Sequence, residues 1–258
     1  MKKLFFLLTL TLGGIACQST DSSTFGVDPQ QNRYLDEAPL TQKLYCNSPN
    51  CENPYAQEVY TYTPAGQLIR MDQFSRNAAA QLEKVSYTDY RYSPAGQLSG
   101  AVRYSKHGTI PGWVAYEESE YAYTNGVLVR EQTYFNQHNP DQRVLTGSID
   151  YRFSNGNRVE QTWYDAQQTL SRRVVNEYKN NTLIRQIWYG PKNDIMRRFE
   201  HQFTDNRRQI SEYLPSSTEL ISQVEKTYDA QGRVSSEETK VINLLLCSMQ
   251  AGVIRYVY

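Results

Sequence analysis

The sequence has little of what catalysis needs. Of its 258 residues three are histidines, and His107, His138 and His201 stand far apart. It contains no His-Glu-x-x-His pair, no phosphate-cradling glycine loop and no Gly-x-Ser-x-Gly elbow, which removes the usual signatures of zinc proteases, P-loop enzymes and α/β-hydrolases. There is no surplus of charge, with 27 basic residues against 27 acidic ones, and a balanced chain is not a general nucleic-acid binder. The apolar run Leu4 to Leu12 is too short for a membrane-spanning helix. No stretch keeps a helical apolar period, so almost no helix is expected. Two neighbouring cysteines without partner His or Cys do not complete a zinc tetrahedron, and no metal or cofactor is expected.

What is present starts at the first residues. Lys2-Lys3 followed by Leu4 to Leu12 has the layout of an export signal, and it runs into Gly14-Ile15-Ala16-Cys17. This stretch resembles the bacterial lipobox, with Gly14 where Leu is usual. The resemblance implies a lipoprotein signal peptide over 1–16, a diacylglyceryl group on Cys17, and a lipid-anchored place in the cell envelope of a Gram-negative bacterium, with the outer membrane expected. Acyl chains hold to a bilayer by about 0.8 kcal/mol per buried CH₂. Without Lys2 and Lys3 the net charge becomes 25 − 27 = −2.

Export favours a local disulfide between Cys46 and Cys51 around a Pro-Asn turn, contributing roughly 2 kcal/mol in the chain-entropy picture. Cys247 follows the apolar run Ile242 to Leu246 and reads as a buried thiol. Residues 17–32, rich in Ser, Thr, Asp and Gln, read as a flexible tether, and 33–58 as an N-terminal cap held by the disulfide.

Tyrosine is abundant, at 21 residues, and it is periodic. Tyr60-Thr-Tyr62-Thr-Pro64-Ala-Gly66-Gln-Leu68 recurs as Tyr90-Arg-Tyr92-Ser-Pro94-Ala-Gly96-Gln-Leu98, with looser copies from Tyr121 and Tyr151. The turn residue that must take a positive φ falls at Gly66, Gly96, Gly126, Gly156, Asn181, Asn206 and Gly232, at spacings of 30, 30, 30, 25, 25 and 26. A fixed period of that size marks a repeat architecture, and glycine or asparagine is what a left-handed turn position tolerates. Each copy is an aromatic strand end, a tight turn and a new strand.

Counting back across each turn pairs Tyr62 with Leu68, Tyr92 with Leu98, Tyr123 with Leu128, Tyr178 with Leu183 and Tyr228 with Val234. Phe153 and Phe203 would instead face Arg158 and Arg208, which calls for a cation–π contact or a slipped register. The expected fold is all-β: an antiparallel meander of seven hairpins over 59–240, forming a long twisted or curled sheet, closed off by strands in 241–258. A transmembrane barrel is the structural alternative. Strands such as Ser148–Phe153 put too many charges on at least one face for easy lipid contact.

The best single copy, Thr227-Tyr228-Asp229-Ala230-Gln231-Gly232-Arg233-Val234, resembles the YD repeat of the Rhs and teneurin families. The copies at Tyr62 and Tyr92 keep the tyrosine, glycine and leucine of that pattern and lose its Asp and Arg. The resemblance covers about residues 59–238 and implies a spiralling antiparallel β-strip. Seven units are too few for the toxin-enclosing shell of the large members, and no toxin domain is expected.

Chemistry is thinly signalled. The three histidines read as exposed and polar. Residues 151–214 carry eleven bases against seven acids, which reads either as a patch for an anionic partner or as solvated, aggregation-resistant faces. Trp113, Trp163 and Trp188 are the candidates for stacking on a sugar or peptide, unless a curled strip buries them. The favoured function is a non-enzymatic cell-envelope lipoprotein serving as a binding or structural scaffold, with a glycan, peptide or envelope protein as partner and no nucleic acid. An accessory or immunity-like partner of a larger Rhs-type system is the alternative, and a carbohydrate-active enzyme a weaker one.

Overall fold

The computed structural model describes residues 39–107, 110–136, 142–215, 217–243 and 252–258. Cys17, Cys247, His138, the segment 1–16 and the tether 17–32 lie outside the described residues. The strands are β1 (Gln42–Cys46), β2 (Ala56–Tyr62), β3 (Leu68–Arg76), β4 (Leu82–Tyr92), β5 (Leu98–His107), β6 (Ile110–Thr124), β7 (Val127–Asn136) and β8 (Arg143–Ser154). They continue as β9 (Asn157–Asp165), β10 (Leu170–Lys179), β11 (Thr182–Tyr189), β12 (Ile195–Thr204), β13 (Arg207–Tyr213), β14 (Leu220–Tyr228), β15 (Val234–Val241) and β16 (Gly252–Val257). No helix occurs among the described residues.

Each strand pairs antiparallel with the next, and the ring closes into a barrel where β1 meets β16. The expected open or curled sheet is therefore corrected to a closed one. Closure has a plain cause. An open meander leaves two rows of unpaired backbone N–H and C=O groups. Here Gln42 through Cys46 pair in turn with Val257 through Val253, and the Thr41 amide donates to the Val257 carbonyl at 2.7 Å. Strand β1 and the first residues of β2 fall in the stretch read as an N-terminal cap, and both are wall strands like the others.

The turn register is the one counted from the sequence. Tyr62 faces Leu68, Tyr92 faces Leu98, Tyr123 faces Leu128, Tyr178 faces Leu183 and Tyr228 faces Val234. Phe153 and Phe203 do face Arg158 and Arg208; the register shifts between Arg152 and Phe153 and runs on regularly at Phe203. Arg208 covers the Phe203 ring at 5.3 Å, whereas Arg158 reaches Tyr151 at 5.9 Å.

Positive φ occurs at Gly66, Gly96, Gly126, Gly156, Asn181 and Gly232; at the sixth turn Asp205 takes it, and Asn206 does not. In the longer turns the first residue also caps the loop. Thr63 Oγ1 accepts from the Gln67 amide, Ser93 Oγ from Gln97, and Asp229 Oδ1 from Gln231 and Arg233. Thr and Ser thus supply the side-chain oxygen that Asp supplies in the last copy.

Alternation along each strand sends one residue inward and the next outward. Tyr60, Met71, Thr88, Ala101, Ser119, Glu131, Val174, Phe199, Ile210 and Ser222, from β2 round to β14, point inward and are buried. Round sixteen-stranded barrels enclose a water channel, whose lining would be wet. Buried inward residues on these ten strands are instead shielded from water by neighbouring side chains.

Candidate functional site

The inner wall repeats one device. Every even-numbered strand runs to the same rim and carries an inward pair there. The outer member of that pair is Tyr62, Tyr92, Tyr123, Phe153, Tyr178, Phe203, Tyr228 and Tyr258, so one mouth of the barrel wears a collar of eight aromatic rings. Tyr92, Tyr178 and Tyr258 each donate to the carbonyl of the inward residue on the preceding strand, Leu68, Arg158 and Val234, at 2.9, 3.1 and 2.9 Å. The eighth copy, Tyr256-Val-Tyr258, went unnoticed in the sequence. Its signal was there: Tyr258 follows Tyr228 by the period of 30. Its returning strand is β1, at the far end of the chain.

One layer deeper the copies diverge. Tyr60, Tyr90, Tyr121, Tyr151 and Tyr256 keep the ring, while Asn176, His201 and Lys226 replace it. His201 is buried, not exposed, and receives hydrogen bonds from Arg208 on Nδ1 at 3.0 and 3.2 Å. Carboxylates serve the tyrosines. Glu58 accepts from Tyr45 at 2.9 Å and from Tyr60, and Glu131 accepts from Ser119 at 3.1 Å and Tyr151 at 3.0 Å. Glu237 pairs with Lys226 at 3.1 Å, and Glu212 with Arg197 at 3.4 Å.

Burial, reinforced by Glu58, pushes the Tyr45 and Tyr60 hydroxyls far above the ordinary phenol range. Burial also raises Tyr90 and Tyr121, and takes Tyr62 up to about 12. Glu117 is pushed up by burial, with Arg103 opposite it pulling the other way.

The outer wall is ionic. Arg70 and Asp89, Arg130 and Asp150, Arg152 and Glu160, Arg173 and Glu160, and Arg185 and Glu177 pair across or along the outward positions. Outward rings are covered by cations: Arg70 lies 4.5 Å from the Tyr87 centroid, Arg143 3.4 Å from Tyr134, and Arg173 4.7 Å from Tyr189. A cleft of about 640 Å³ over this wall is lined by Arg91, Glu118, Glu120, Arg130 and Arg143 among others. Arg91 holds Glu118, and Arg143 holds Glu120 at 2.8 Å, so both carboxylates are spoken for.

The three tryptophans do not form one surface. Trp113 points outward, packed edge-on against Tyr87 at 5.3 Å, and Tyr87 stacks on Tyr104 at 4.6 Å. Trp163 and Trp188 point inward on β9 and β11, with Arg172 of β10 between them, 4.1 Å from one ring and 4.6 Å from the other. Cys46 and Cys51 form a disulfide with Cα atoms 5.2 Å apart, and Arg255 of β16 donates to Pro49 in its loop at 2.7 Å.

No family model and no curated protein sequence matches the chain. Among solved structures it is similar to a porin-like protein from Bacteroides uniformis, at 10% identity, TM-score 0.39, covering 85% of this chain and 96% of that one. A second porin-like protein, from Bacteroides vulgatus, is similar at 7% identity, TM-score 0.32, covering 86% and 99%. A Bacteroides fragilis protein of unknown function is similar at 16% identity, TM-score 0.26, covering 54% of this chain and 86% of that one.

Proposed function

We propose that this chain is a non-enzymatic cell-envelope lipoprotein whose closed β-barrel serves as a rigid scaffold for binding a glycan, a peptide or an envelope protein. The division of the wall carries this reading. Each Arg or Lys turned toward lipid at mid-bilayer costs about 2–4 kcal/mol, and pairs such as Arg70–Asp89 and Arg130–Asp150 stud the outside. A wall of that kind faces water. The buried inward side chains support a scaffold over a water-filled pore. Attachment to the membrane then falls to the lipid on Cys17, with 17–32 as the tether.

The test uses the full chain with residues 1–17 replaced by a general secretory leader. The exchanged protein is expected in the soluble periplasmic fraction without detergent, while the original fractionates with membranes and incorporates labelled palmitate. Retention of the exchanged protein in membranes through an alkaline carbonate wash, or channel openings in planar bilayers, would overturn the reading.

A further inference from the structure

Arg172 differs from the inward cations that have ion or hydrogen-bond partners: Arg208 donates to His201, and Arg103 to Gln73. Lys226 has Glu237 and Arg197 has Glu212, and the outward arginines of the ionic wall have their carboxylates. Among the described residues Arg172 has no carboxylate within 4 Å, and its Nε is buried with no hydrogen-bond partner. Its guanidinium carbon lies over two indoles, 4.1 Å from the Trp163 centroid and 4.6 Å from that of Trp188. Trp163 sits directly across from it on β9, and the Trp188 ring is fixed by its Nε1–H donating to Gln186 at 2.9 Å and by packing on Phe199 at 5.2 Å. The side chain is half-buried, and burial lowers its pKa with no neighbouring charge to offset it.

The physical consequence is specific. Two indoles beside a guanidinium favour its positive charge but give its N–H groups no oxygen acceptor. They leave the N–H edge, which is where a guanidinium binds oxyanions in fork geometry. A buried donor left unmatched costs about 1–3 kcal/mol, so a ligand that supplies an acceptor and a negative charge recovers that cost. An aromatic frame around such an edge also favours an anion carried on a flat or apolar body.

We infer that Arg172, framed by Trp163 and Trp188, is an oxyanion-binding site inside the barrel wall, taking a carboxylate or a phosphate group of a larger ligand. The site gives the scaffold proposed above a ligand class, and so rests on that reading.

The test is tryptophan fluorescence of the full-length protein carrying Trp113→Phe, which silences the one indole on the outer wall. Acetate and inorganic phosphate are titrated separately at constant ionic strength set with chloride. A saturable change with either anion is expected, and which one saturates first tells carboxylate from phosphate. Arg172→Met should abolish the response, and Arg172→Lys should weaken it about tenfold by losing one charge-assisted hydrogen bond. No saturable response in the parent, or an unchanged affinity in Arg172→Lys, overturns the site; if Arg172→Met does not fold, the Lys variant decides. Fractionation of the leader-exchanged chain reads the scaffold proposal separately, so the two fail by different signals.

Discussion

Lys226 and Glu237 meet inside the barrel at 3.1 Å, on neighbouring strands, with side chains only 9% and 11% exposed. Removing one member of such a pair strands the other charge in a poorly solvated place, at a cost of about 3–5 kcal/mol, whereas replacing both by apolar groups is often neutral or better. Glu237→Gln should therefore lower the urea midpoint far more than the double change Lys226→Met with Glu237→Leu. If the double variant is the weaker of the two, the pair contributes through its charge and not through its fit.

Gly147 lies on the inward face of β8, opposite Thr133 and Asp165. A Cβ there would stand 2.6 Å from the Tyr164 carbonyl oxygen. That atom is backbone and cannot swing away. Gly147→Ala should destabilise the barrel by about 1–3 kcal/mol through overpacking, seen as a lower midpoint in thermal or urea unfolding. An unchanged midpoint would mean that β8 and β9 separate freely there.

The buried tyrosines set an alkaline limit. Their folded pKa values lie above the ordinary phenol value of about 10, with Tyr62 at about 12 because of burial and the neighbouring Tyr92 and Tyr258. A group raised in the folded state gives stability that is complete below its unfolded pKa and fades as pH climbs through the folded one. Stability should therefore hold to about pH 10 and fall steeply beyond it. Phenolate absorbance at 295 nm is expected to rise together with loss of near-ultraviolet dichroism. Phenolate appearing well before the structural change would contradict the burial.

Deleting residues 252–258 removes β16 and exposes the free edges of β1 and β15. Edge strands of that sort invite pairing between molecules. The truncated chain should associate in a concentration-dependent way on size exclusion with light scattering, while the full chain does not. A truncated chain that stays monomeric and melts as before would show that β16 is dispensable for closure.

The hairpins were legible because their instructions are local. A tyrosine, a capping Thr or Ser, a left-handed glycine and a leucine sit within seven residues, from Tyr62 to Leu68, and they settle turn and register together. Closure was not legible, because the eighth unit is divided between β16 and β1, and no local pattern announces that residue 257 meets residue 42. Nor does alternation alone say which face turns inward; that the Arg70–Asp89 side faces out follows only once the ring is shut. The Arg172 box needed the β9–β10 register through the turn at 165–169, which carries no glycine. His201 could have been found: it occupies the place of Tyr60 in its copy, two residues before the collar ring.

The seam between β1 and β16 joins groups 216 residues apart, Thr41 and Val257. Contacts of such separation form late and slowly, since the chain must give up a large loop entropy before they return anything. Every other strand can pair with its neighbour in chain order; the seam cannot form until residue 257 is available. In that interval the molecule is an adhesive ribbon with two open edges. The yield of finished barrel is thus set by a race between ring closure and encounter with another ribbon, and expression level alone can tip it.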